Sequence, residues 1–75
     1  MLAYLLINTE RGNEQEIYDK IGSFVEVIGV HMIFGEWDLM AKIEIENSEA
    51  LSTFILDKIR IISGVQMTST LIVAK

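Results

Sequence analysis

The chain has 75 residues, 51% of them apolar, with six Lys and Arg against eleven Asp and Glu for a net charge of −5. This length holds one domain; the absence of cysteine excludes disulfides and thiolate metal sites, and His31, the only histidine, cannot build an imidazole zinc centre. Arg11, Lys20, Lys42, Lys58, Arg60 and Lys75 are dispersed, leaving no basic cluster for a phosphate backbone, and no apolar run approaches the roughly 18 residues of a membrane helix.

Leu2 to Thr9 is an almost continuous apolar run of strand length, bounded by Glu10 to Asn13 with Gly12 as breaker. Asn13 followed by Glu16 has the spacing of a capping box, and Ile17, Ile21, Phe24 and Val25 recur at helical intervals, predicting an amphipathic helix that leaves at Gly29. Val30 to Phe34 reads as the second strand. Gly35-Glu36-Trp37-Asp38 is a short connection, after which Leu39, Ala41, Ile43 and Ile45 alternate with Met40, Lys42, Glu44 and Glu46. The second and third strands therefore form a hairpin.

Asn47 or Ser48 caps a second helix, with Glu49 in its first turn and Leu51, Phe54, Ile55, Ile59 and Ile62 on its apolar face. Gly64 ends it, and Val65 to Ala74 is a fourth strand. Gly29-Val30-His31-Met32 and Gly64-Val65-Gln66-Met67 echo one another as strand openings. The expected fold is α+β: a ferredoxin-like βαββαβ domain over residues 1–75, with an antiparallel sheet and both helices on one face.

Helices on one side leave the other face of the sheet to water, and that face should then be polar. It is not. Both alternating sets of the first strand are apolar, and the fourth strand places Val65, Met67, Leu71 and Val73 on one side, with Ile72 among Thr68 and Thr70 on the other. A domain this short buries only about 60% of its unfolded surface. A second apolar face worth about 25 cal/mol per Å² drives it to pack sheet on sheet with a copy of itself.

Three segments carry candidate chemistry. At the connection, Gly35 permits a positive φ and can free backbone groups for a ligand carboxylate, while Asp38 can accept from a ligand ammonium; the structural alternative is a hairpin turn in which Asp38 bonds its own backbone. Thr68 and Thr70 share one face of a strand and can offer hydroxyls to a ligand or simply form strand. His31 and Trp37 are single residues whose ordinary roles are partial burial and packing. No nucleophile has an identifiable base, and no catalytic residue, metal or cofactor is assigned.

Gly29-Val30, Gly35-x-Trp37-Asp38-Leu39 opening an alternating strand, then Gly64-Val65 and Thr68-x-Thr70, resemble the C-terminal effector domain of the Lrp/AsnC (feast/famine) transcription regulators across essentially the whole chain. The resemblance implies a dimeric α/β barrel made by pairing sheet to sheet, dimers assembling into rings, and amino-acid effectors held between dimers near the turn joining the second and third strands. Gly35 and Asp38 match the turn's glycine and acid, Trp37 its usual aromatic, and Thr68 and Thr70 would be further contacts. Family regulators carry an N-terminal helix-turn-helix. Here a strand begins at Leu2, so the expectation is a stand-alone effector-binding and oligomerisation domain, without a helix-turn-helix or direct contact to nucleic acid. Lacking a signal peptide, it is expected in the cytoplasm. It would sense a free amino acid or similar small effector, or co-assemble with full-length regulators. The alternatives are a small barrel enzyme, monooxygenase- or isomerase-like, enlisting His31, Asn8 and Trp37 in the sheet cleft, and a purely structural oligomerisation module.

Overall fold

A computed structural model describes residues 1–75. The alternation in the first strand becomes β1 (Leu2–Thr9), in which Ala3, Leu5, Ile7 and Thr9 are buried and the residues between them are not. β3 (Leu39–Glu44) buries Leu39, Ala41 and Ile43, which pair with Ile7, Leu5 and Ala3 of β1. β2 (Val27–Met32) and β4 (Val65–Ile72) flank this pair, giving an antiparallel sheet of order β2-β3-β1-β4. The result is the expected ferredoxin-like βαββαβ fold.

Both helices cover one face. α1 (Glu14–Gly22) buries Ile17 and Ile21, and α2 (Ser48–Phe54) buries Leu51 and Phe54. Asn47 caps α2, its side chain accepting from the Ala50 N–H at 2.8 Å. α2 continues into one π-helical turn (Ile55–Ile59) in which the Arg60 N–H donates to the Ile55 carbonyl at 2.9 Å. The buried positions explain it: Leu51, Phe54 and Ile59 step by three and then five residues, and a five-residue step needs a π turn to bring Ile59 inward in place of Lys58. Lys58 instead places its Nζ 5.8 Å from the Phe24 ring centroid, and that ring meets Phe54 edge-on at 5.6 Å.

Several boundaries differ from the sequence reading. α1 ends at Gly22, not near Gly29, and Gly29 lies inside β2. Phe24 still packs against the core from the turn that follows α1, whereas Val25 is exposed, so apolar spacing outlasted the helix that should have carried it. The two Gly-Val pairs are consequently not equivalent. Gly64 is a true helix-exit turn with φ +95°, where a Cβ would lie 2.6 Å from the Asn13 amide nitrogen and 3.0 Å from Ile17 Cδ1. The Asn13 and Glu16 capping box does not form; Asn13 makes no side-chain cap, and Glu14 instead accepts from the Gly12 N–H at 2.9 Å. β3 stops at Glu44 and β4 at Ile72.

Register assigns the open face. Leu2, Tyr4, Leu6 and Asn8 of β1, Met40, Lys42 and Glu44 of β3, His31 of β2, and Met67, Ser69 and Leu71 of β4 point away from the helices. A bulge opposite Asn8 and Thr9 moves Val65 from this face to the helix side, correcting its placement beside Met67. Met67 and Leu71 are 61% and 53% exposed, so the apolar face expected from the sequence is bare in the single chain. No helix is long and apolar enough to cross a membrane.

Candidate functional site

The connection between β2 and β3 closes through Asp38. Its carbonyl accepts from the Ile33 N–H at 2.9 Å, and its own N–H donates to the Ile7 carbonyl at 3.0 Å. The side chain extends the same pattern: Oδ2 accepts from the Thr9 N–H at 2.8 Å and is 3.5 Å from the Thr9 hydroxyl. β3 begins at Leu39, opposite Ile7, two residues too late to pair with Thr9, which is buried, so the carboxylate supplies the acceptor a longer strand would have offered. The Asp38 side chain thus bonds a neighbouring strand rather than its own turn backbone. Oδ1 has no partner within the chain.

Gly35 has φ +131°, a conformation that L side chains rarely adopt, and no atom lies near the position of an added Cβ. Its backbone is therefore open to an approaching group. Trp37 is half-buried, and Phe34, expected at the end of the second strand, lies beyond β2 and is fully exposed. An apolar residue next to a turn glycine was the signal available for it.

Thr68 and Thr70 lie on the helix-side face of β4, opposite Ile7 and Leu5. The helices do not reach this edge; Thr68 is half-buried and Thr70 exposed. Thr68, Ile7 and Leu39 share a rung, which places Thr68 about two strand spacings, roughly 10 Å, from the start of β3. One chain therefore brings Asp38 and the threonines to the same end of the sheet but not to one small ligand. The enzyme constellation fares similarly: His31 and Asn8 share the open face but are separated by β3, and Trp37 lies in the connection. The two concavities, of about 590 and 820 Å³, flank the helices and contain none of these residues.

A family model for the Lrp/AsnC ligand binding domain matches residues 2–75. The chain belongs to that family. This Lrp/AsnC domain is 37% identical over 75 residues to the HTH-type transcriptional regulator FL11 of Pyrococcus horikoshii, covering 100% of the chain and 49% of the regulator. It thus spans about half the length of the curated relatives it matches. A solved hypothetical protein from Pyrococcus horikoshii superposes with a TM-score of 0.88 at 37% identity, covering 93% of this chain and 84% of that one. A transcriptional regulator from Neisseria meningitidis, solved as its L-Met complex, shares the fold with a TM-score of 0.90 at 22% identity over 99% of this chain and 49% of its own.

In this Lrp/AsnC domain, the Asp38 to Thr9 bond has a stability consequence separable from any ligand. Asp38→Ala leaves a buried N–H without an acceptor and is expected to cost about 1–3 kcal/mol, whereas Asp38→Asn, which keeps an oxygen there, costs clearly less. Urea titration of the two variants measures this difference.

Proposed function

We propose that this domain binds a free amino acid at sites completed between copies of the chain, and that binding biases their assembly. The observation that carries the reading is the half-built site at one end of the sheet. A turn with an open glycine backbone and a carboxylate oxygen to spare stands apart from two threonine hydroxyls, and a second copy is needed to bring such halves together. An amino acid supplies the matching groups, an ammonium for Asp38 Oδ1 and a carboxylate for the backbone at Gly35, with Trp37, Thr68 and Thr70 as further contacts. The L-Met complex of the Neisseria meningitidis regulator supports this ligand class.

The open sheet face supplies the constant contact. Its exposed Met67 and Leu71 and half-buried Leu2 and Leu6 offer apolar area for a second copy, and two such faces pack as a dimeric α/β barrel that orders the turns along its rim for further association of dimers. Through these surfaces the domain senses effector in its own homo-oligomers or in mixed assemblies with full-length Lrp/AsnC regulators, and so acts on transcription indirectly, in the cytoplasm and without a reaction of its own.

Isothermal calorimetry with each of the twenty amino acids tests the ligand. At least one is expected to release or absorb heat saturably, and Asp38→Asn, which keeps the Thr9 bond but loses the charge, is expected to bind it at least tenfold more weakly. Absence of heat with all twenty would leave the structural-module reading standing instead.

A further inference from the structure

The two edges of the sheet are unlike. β2 is short, and its pairing with β3 shifts register between Val27 and Gly29, a bulge of the kind that keeps further strands from adding. β4 runs eight residues, and from Val65 to Ala74 the sequence holds neither a charged residue nor a proline. Its one bulge lies at the Val65 end, leaving Met67 to Ile72 in unbroken register with β1. A long, uncharged edge offers its unpaired backbone groups as a template for another strand.

The bonds to β1 determine which groups those are. The Val73 N–H donates to the Leu2 carbonyl at 2.9 Å, and in an antiparallel ladder the bonding direction alternates from residue to residue. Leu71, Ser69 and Met67 therefore turn their N–H and C=O toward β1, while Ile72, Thr70 and Thr68 turn theirs to the free edge. Met67-Thr68-Ser69-Thr70-Leu71 reads nearly alike in both directions. Two copies laid antiparallel about Ser69 thus oppose threonine to threonine and methionine to leucine. In that register Thr68 and Thr70, which carry the free backbone groups, fall opposite one another as hydrogen-bonded pairs.

We propose that β4 is a self-pairing edge: the β4 strands of two copies join antiparallel about a two-fold axis at Ser69, and the join assembles a patch of threonine hydroxyls that neither copy holds alone. Thr68 of each copy exchanges both backbone hydrogen bonds with the partner's Thr70. The side chains of Thr68 and Thr70 from both copies lie on the helix side, where Thr68 is half-buried and Thr70 exposed. The patch therefore stays open to a polar ligand spanning the axis, and each hydroxyl can donate or accept. The join uses the edge of the sheet and is independent of the seam on its open face. A chain with both contacts has two different two-fold interfaces, and these link dimers into larger assemblies.

Cysteine cross-linking of the full chain tests the join, because the sequence has no thiol of its own. About the axis Ser69 faces its own counterpart as a non-hydrogen-bonded pair with Cα atoms about 4.5 Å apart, within disulfide reach. Met67 instead faces the partner's Leu71 and stands well away from its counterpart. Under mild oxidation Ser69→Cys is expected to form covalent dimer about tenfold or more faster than Met67→Cys, since pairing raises the effective concentration of its thiols. An equal mixture of Thr68→Cys and Thr70→Cys is expected to cross-link about tenfold or more faster than either variant alone. Both positions point away from the open face, so copies that meet only at that face do not join them. Ser69→Cys that reacts no faster than Met67→Cys overturns the two-fold at Ser69. Fast cross-linking of Ser69→Cys without enhancement in the mixture assigns the contact to the open face and overturns the edge join.

Discussion

Leu5→Ala is expected to leave the chain largely unfolded at 25 °C. Leu5 is fully buried at the centre of β1, between Ala41 and Thr70, where the sheet meets the helices. Truncating a buried leucine costs about 2–5 kcal/mol through lost transfer energy and the cavity left behind. A core this small supplies roughly 3–5 kcal/mol, so the loss is comparable with the whole. Circular dichroism during urea titration, at protein concentrations low enough that association contributes little, should show a cooperative transition for wild type and none, or one shifted almost to zero denaturant, for the variant.

One residue further along, the expected effect is of another kind. Leu6 points to the open face and is only half-buried. Leu6→Glu adds a carboxylate that water can reach in the single chain, so the far-ultraviolet spectrum should stay that of the folded domain. In a closed seam the same change buries two unpaired carboxylates per pair of copies, each costing several kcal/mol. Since 1.4 kcal/mol is a factor of ten, association is expected to weaken by at least about a hundredfold. Sedimentation equilibrium separates the outcomes: a folded monomer supports the seam, and undiminished association removes Leu6 from it.

The contrast between Leu5 and Leu6 was already present in the sequence, because a strand of period two with apolar residues in both registers has two faces to bury. The same patterning revealed β3, the hairpin, the order of elements and the Gly64 exit. What sequence periodicity did not reveal depends on contacts between distant segments. The apolar spacing of α1 runs on through Phe24 past the helix end at Gly22, yet Phe24 meets Phe54 rather than extending a helix. The π turn follows from the need to bury Ile59 rather than Lys58, a choice between neighbours made by the sheet beneath. The bulge that turns Val65 inward is likewise set by its pairing with Thr9.

The candidate site divides in the same way. Gly35 announced its backbone freedom, since a glycine between two strands needs a turn. Asp38 was legible as a carboxylate at that turn, but its bond to Thr9, twenty-nine residues away, was not. That bond leaves Asp38 one oxygen rather than two for a ligand and holds it in place. The spacing of Thr68 and Thr70 correctly put them on one face, while their distance from the turn only emerged from the strand order. Placing β1 between β3 and β4 holds Thr68 and Thr70 about two strand spacings from the turn within one chain.

If amino-acid binding and assembly are coupled, sedimentation velocity of the chain with each of the twenty amino acids in turn shows it. The prediction is that at least one amino acid shifts the distribution of species, with a concentration dependence matching its calorimetric binding. An amino acid that binds saturably but leaves the distribution unchanged at every protein concentration would contradict it.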